Sequence, residues 1–167
     1  MAAGYTLALP IDDRTLMPRK KMLTDMVGLL GGRAAEEIVF DDITSGASND
    51  IERVTQLAKT MVTRLGMSSE LGPMVYGQKE EMIFLGREIS EQRDYSEAVA
   101  EKIDKEVRSL VNDAYKKSHD ILNKYRAELD AVAQKLLEVE TLSREEFEKI
   151  FPPPVPHRNA TPVYAEK

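Results

Sequence analysis

Between Ile51 and Gly66 the apolar residues Ile51, Val54, Leu57, Ala58, Met61, Val62 and Leu65 recur every three or four positions. That spacing puts them on one face of an α-helix and on neither face of a strand. Gly66 stands where such a helix needs a left-handed residue to end it. One residue does not suit the pattern. Asp50 lies four before Val54 and seven before Leu57, so it shares the apolar face. A carboxylate at the head of a buried stripe needs a reason. The local reading makes Ser48 the N-cap and places Asp50 in the first turn. There a negative charge meets the unsatisfied N–H groups and the positive end of the dipole, worth about 0.3–1 kcal/mol.

The same period recurs along the chain. Pro18 opens a helix carrying Met22, Leu23, Met26, Val27, Leu29 and Leu30, which is expected to end at Gly31–Gly32. Gly28 inside it costs about 1 kcal/mol relative to alanine, which suggests a close helix contact. A second short helix follows in RAAEEIVF, where Arg33 and Glu37 can pair across one turn. A long helix is predicted from Ser96 to about Tyr125 on Val99, Ile103, Val107, Leu110, Ala114, Ile121 and Leu122. Another runs from Ala127 to Glu138 with Leu129, Val132, Leu136 and Leu137 inward. In the last helix Ser143 and Glu146 form a capping box, and Leu142 and Phe147 are placed as a hydrophobic staple.

Strand signals are few. Gly4–Pro10 alternates loosely and ends at proline. Met74–Tyr76 and Met82–Leu85 read as a small hairpin or as an ordered loop. The expected fold is therefore mainly α with a few short strands. Residues 1–151 form one helical domain and the proline-rich residues 152–167 an extended or disordered tail.

Composition excludes several classes. A net charge of −6 leaves little to neutralise phosphate, which argues against a nucleic-acid partner. No run approaches the ~18–20 apolar residues of a membrane span. With no cysteine, thiolate nucleophiles, disulfides and cysteine zinc sites are ruled out. His119 reads as a surface residue on the polar side of its helix, and His157 falls in the tail. The two cannot form an i, i+4 metal pair, and no HExxH is present. Spacing and composition alone reveal no catalytic site.

The stretches GGRAAEE (31–37) and TSGASNDIERVTQLAKTMVTRLGMSSELGP (44–73) resemble the peptidase domain of the FtsH family, membrane-anchored AAA+ zinc proteases. GYTLALP (4–10) and DYSEAVAEKIDKEV (94–107) match the same family in the same order, so the resemblance runs from Gly4 to Phe151. It implies that Asp50 is the third zinc ligand. It also implies that Gly4, Tyr5, Thr6 and Leu7 belong to a strand beside the cleft, which either pairs with an extended substrate or is purely structural. GGRAAEE is either a wall of the cleft or a glycine turn for close helix packing, and the structural role is favoured.

The sequence departs from that family in what it lacks. It contains no HExxH, which supplies two imidazoles and a general base, and no GxxxxGKS/T loop for ATP. The resemblance thus implies the C-terminal part of an FtsH peptidase domain. Such a piece is expected to be soluble, inactive alone and without bound zinc, because a catalytic zinc takes three protein ligands. In the parent family the resemblance implies zinc, ATP through a separate module, protein substrates, a hexamer and a membrane anchor, with the peptidase domain in the cytoplasm or its organelle equivalent. The alternative is a non-enzymatic helical module that keeps the FtsH oligomerisation surface; a split enzyme with HExxH on a separate chain is a third. Without an HExxH helix to cover them, the faces Met22–Leu30 and Ile51–Leu65 are expected to lie exposed and to drive self-association.

Overall fold

The computed structural model of the chain describes residues 16–77 and 94–152. It is mainly α-helical: α1 Arg19–Leu29, α2 Gly31–Phe40, a 3-10 turn Ser45–Ala47, α3 Ser48–Thr63, α4 Glu97–Lys124, α5 Arg126–Val139 and α6 Arg144–Ile150. Among the described residues there is no strand, only an isolated antiparallel bridge between Ser68 and Gly72. Residues 74–76 are not in a strand. Gly4–Pro10, Met82–Leu85 and the tail beyond Pro152 lie outside the described residues. No helix among the described residues is long and apolar enough to cross a membrane.

Residue contacts divide the chain into two compact units, Met1–Ile121 and Leu122–Lys167. The core of the first is built on α1 and α3. Met22 and Met26 from α1, with Leu30 just beyond it, bury against Val54, Ala58 and Met61 from α3, and Ala114 of α4 joins them. The steps of three and four residues within each set keep it on one helix face. The faces expected to lie open are thus buried against each other; Ile51 and Leu65, at the ends of the α3 stripe, are the members left exposed. A second cluster forms where α3 ends, with Val62, Leu71 and Ile103 buried beneath Tyr76, Tyr95 and Val99.

The joint between α1 and α2 corrects the sequence reading. Gly31 and Gly32 open α2 instead of ending α1, and Leu30 alone connects the two helices. Its N–H bonds to the Met26 carbonyl at 3.1 Å and its carbonyl accepts from Ala34 at 3.0 Å, so the backbone ladder passes through the joint. The close contact expected at Gly28 is also absent: a Cβ there would meet nothing within 4 Å, whereas one at Gly31 would touch Ser118 Oγ at 3.9 Å.

At the other end of α3 the reading holds. Gly66 has φ +57°, and a Cβ on it would lie 2.8 Å from the Cα of Pro73. The position therefore needs glycine both for its conformation and for the close approach of the returning chain. The N–H of Met67 then bonds to the Met61 carbonyl at 2.9 Å and closes the turn.

In the second unit, Ser143 caps α6 and Glu146 returns the bond, the reciprocal box that the sequence predicts. Tyr125 meets Phe151 edge to face at 5.0 Å between ring centroids. Neither α5 nor α6 buries a residue fully. Leu129 and Val132 are half-buried as expected of an inward stripe, but Leu136 and Leu137 are exposed, Leu137 to 80%. A pair of short helices has one narrow seam, too narrow to cover four leucine-class positions on α5.

Candidate functional site

Asp50 sits in the first turn of α3, as its position in the sequence requires. Ser48, however, is not the cap. The residue before the helix is Ala47, and no side chain caps it. The chain enters α3 through the 3-10 turn, and Thr44 caps that turn instead, its Oγ1 accepting from the Gly46 N–H at 3.1 Å. Successive short turns satisfy the N–H groups that an N-cap would otherwise take.

Thr44 is itself held from α2. Its N–H donates to Glu36 Oε2 at 3.1 Å and its hydroxyl donates to Glu36 Oε1 at 2.8 Å. Both oxygens of one carboxylate are thus taken up by one residue of the loop. These bonds, the hydroxyl's first, hold the Glu36 carboxyl below its ordinary range. Glu37, next in the chain, faces the other way, toward α4. It accepts from the Tyr115 hydroxyl and lies 2.9 Å from His119 Nε2. The Tyr115 bond is the main reason its carboxyl is held low, while burial, with Glu37 second, pushes the Tyr115 phenol up.

His119 lies near the surface, as its helix position suggests, but it is tied to α2 and not free in solvent. Its side chain is 25% exposed and packs edge to face on Tyr115 at 4.7 Å. Tyr115 and His119 are four residues apart, which places both on one face of α4. That spacing is visible in the sequence, but the α2 carboxylate they share is not.

The Asp50 carboxylate is 42% exposed, with Arg53 Nη1 at 3.6 Å. An ion pair this open contributes about 1 kcal/mol at most. One turn further along the same face Val54 is fully buried. Asp50 thus marks the point where the apolar stripe of α3 reaches solvent, and its oxygens are not locked into an internal network. Among the described residues no three His, Cys, Asp or Glu side chains lie together in a way that could hold a metal ion. The described residues offer zinc one carboxylate where a catalytic site takes three protein ligands, so they do not make a zinc site by themselves. Gly4, Tyr5, Thr6 and Leu7 fall outside the described residues.

The sequence was compared with known proteins. Residues 1–150 match the family described as "Peptidase family M41". The ATP-dependent zinc metalloprotease FtsH of Thermotoga maritima is 52% identical over 150 residues, covering 90% of this chain and 25% of that protein. The ATP-dependent zinc metalloprotease FtsH 1 of Sphaerobacter thermophilus is 49% identical over 156 residues, 93% of this chain and 24% of that protein. FtsH of Pseudothermotoga lettingae is 50% identical over 150 residues, 90% of this chain and 24% of its own length. The chain spans about a quarter of the length of these curated relatives. Because the match runs through the glycine joint of α1 and α2, the Thr44 turn and the Asp50 helix, the chain belongs to peptidase family M41.

Proposed function

We propose that this chain forms part of the proteolytic domain of an ATP-dependent zinc metallopeptidase and contributes Asp50 as the third protein ligand of its zinc. The observation that carries the reading is the placement of Asp50 in a chain of this family. It stands in the first turn of α3 at the solvent edge of a buried stripe, half-exposed, with a single weak ion pair to Arg53. The two imidazoles and the general base of such a site belong to an HExxH helix, which this sequence does not contain. The chain by itself should therefore bind no zinc tightly and cleave no protein. Breakdown of membrane and unfolded proteins, use of ATP, membrane anchoring and assembly into a hexamer belong in this reading to the complete protease.

The test is a two-by-two comparison: with and without an HExxH segment supplied ahead of residue 1, each with Asp50 and with Asp50→Ala. Zinc affinity is read by competition titration. The reading expects binding only in the extended chain, and a sharp loss there with alanine. Equal affinity with alanine would make Asp50 a helix-end carboxylate and nothing more. Zinc-independent self-association of the unextended chain, with no gain of metal binding on extension, would favour a non-enzymatic association module instead.

A further inference from the structure

We infer that Glu36 is a positioning residue: it helps set the place of Asp50 by clamping Thr44. The inference rests on the reading of Asp50 given above only for its consequence at the metal; the clamp is argued from geometry. Glu36 lies on α2, fourteen positions before Asp50 in the sequence. Its two carboxylate oxygens are engaged by one residue, the N–H of Thr44 at 3.1 Å and the hydroxyl of Thr44 at 2.8 Å. A carboxylate held at both oxygens has its orientation fixed, and charge-assisted bonds of this kind are stronger than neutral ones.

The constraint is passed on. Donating its proton to Glu36 turns the lone pairs of Thr44 Oγ1 outward, and one accepts the Gly46 N–H at 3.1 Å. Gly46 is packed into this arrangement: a Cβ on it would come within 3.2 Å of Thr44 Oγ1 and 3.7 Å of Glu36 Oε1. From Gly46 the 3-10 turn runs through buried Ala47 directly into α3. Asp50 is four residues beyond Gly46, in the first turn of a helix whose buried face holds its body, so the clamp governs how the chain enters α3 at Asp50. The other end of the lever is fixed as well, because α2 is anchored by buried Ala34 and by the bonds of Glu37 to Tyr115 and His119. The two adjacent glutamates thus divide the work. Glu37 ties α2 to α4, and Glu36 ties the loop that carries Asp50 to α2.

The experiment compares Glu36→Ala, Glu36→Gln and Thr44→Val with the parent, using Ser143→Ala in the other unit as a control for general destabilisation. In this chain, without metal, amide hydrogen exchange is read residue by residue. Glu36→Ala should speed exchange of the Thr44 and Gly46 amides by about tenfold or more, the scale of losing charge-assisted bonds. Thr44→Val should do so at Gly46. Glu36→Gln keeps one acceptor oxygen and should fall between parent and alanine, and Ser143→Ala should leave both amides unchanged. In the chain extended by an HExxH segment, Glu36→Ala should weaken zinc by about tenfold or more, as loss of groups that orient ligands does, with Glu36→Gln again intermediate. Unchanged exchange at Thr44 and Gly46 in Glu36→Ala would overturn the clamp. Zinc affinity lowered by Asp50→Ala but untouched by Glu36→Ala would overturn its role in positioning. Zinc affinity untouched by Asp50→Ala would sink the ligand reading instead, and the exchange result would still decide the clamp.

Discussion

Nε2 of His119 lies 2.9 Å from Oε2 of Glu37, joining α2 to α4 across 82 residues of sequence. The same carboxylate oxygen accepts from the Tyr115 hydroxyl, and Tyr115 and His119 pack edge to face. One acidic side chain thus collects two donors from one face of the long helix. The carboxylate is partly open to solvent, so its worth lies in orientation and pH response more than in large energy.

The pH response has a definite sign. The Tyr115 bond holds the Glu37 carboxyl below its ordinary value of 4.5. A depressed carboxyl contributes stability above that value and loses it as pH falls through the folded-state value. Glu37→Gln should therefore flatten the acid limb of the stability profile below pH 4.5. Urea midpoints measured across that range check it; an unchanged acid slope would show that Glu37 is not a contributor. The raised Tyr115 phenol predicts a separate loss of stability as pH rises above 10, absent in Tyr115→Phe.

Gly66→Ala should destabilise by about 1–3 kcal/mol or more. An alanine there must hold φ near +57° and place its Cβ against the Pro73 backbone. Gly28→Ala is the matched contrast: that Cβ meets open space within a helix, so the change should be neutral or stabilising by up to about 1 kcal/mol. Chemical denaturation of the two variants would show opposite or at least clearly unequal shifts, and equal shifts would contradict the packing described for α3.

Met61→Ala should cost about 2–5 kcal/mol, because Met61 is fully buried between α1 and α3. Leu137→Ala, at an 80% exposed position, should stay within about 0.5 kcal/mol. Were Leu137→Ala to cost as much as Met61→Ala, the face of α5 would have to be covered in solution by something, and sedimentation of the variant would show whether a second copy provides the cover.

Ser143→Ala should destabilise α6 by about 1 kcal/mol, since the serine accepts the Glu146 N–H and supports the reciprocal bond. The loss should be local. Amide exchange should rise in Arg144–Ile150 and remain as it was in Ser48–Thr63. Uniform acceleration through both helices would show that the two units unfold as one.

Much of the helical outline was legible beforehand, since it depends on residues within one turn of each other. The long helix predicted from Ser96 to about Tyr125 spans Glu97–Lys124, and the one predicted from Ala127 to Glu138 spans Arg126–Val139. Gly66 and the Ser143 box appeared where local chemistry demands them. Gly28, Leu137 and His119 each had a sound local interpretation that was settled by what lay, or did not lie, across from it, while Ser48 lost the cap to the 3-10 turn that precedes α3.

By itself, then, the sequence determined the mainly helical class, the ends of the longer helices, the glycine that stops α3 and the place of Asp50 in the first turn of that helix. These follow from hydrogen bonds and side-chain spacings of three to six residues, which any chain with this order of residues would meet. Only the tertiary structure decided that Glu36 would spend both oxygens on Thr44, that Glu37 would draw Tyr115 and His119 to α2, and that Met26 and Met61 would share one core. Those partners lie eight to eighty-two positions apart. No local period encodes such a pairing, because it depends on how the burial of the methionine and alanine faces brings one helix against another.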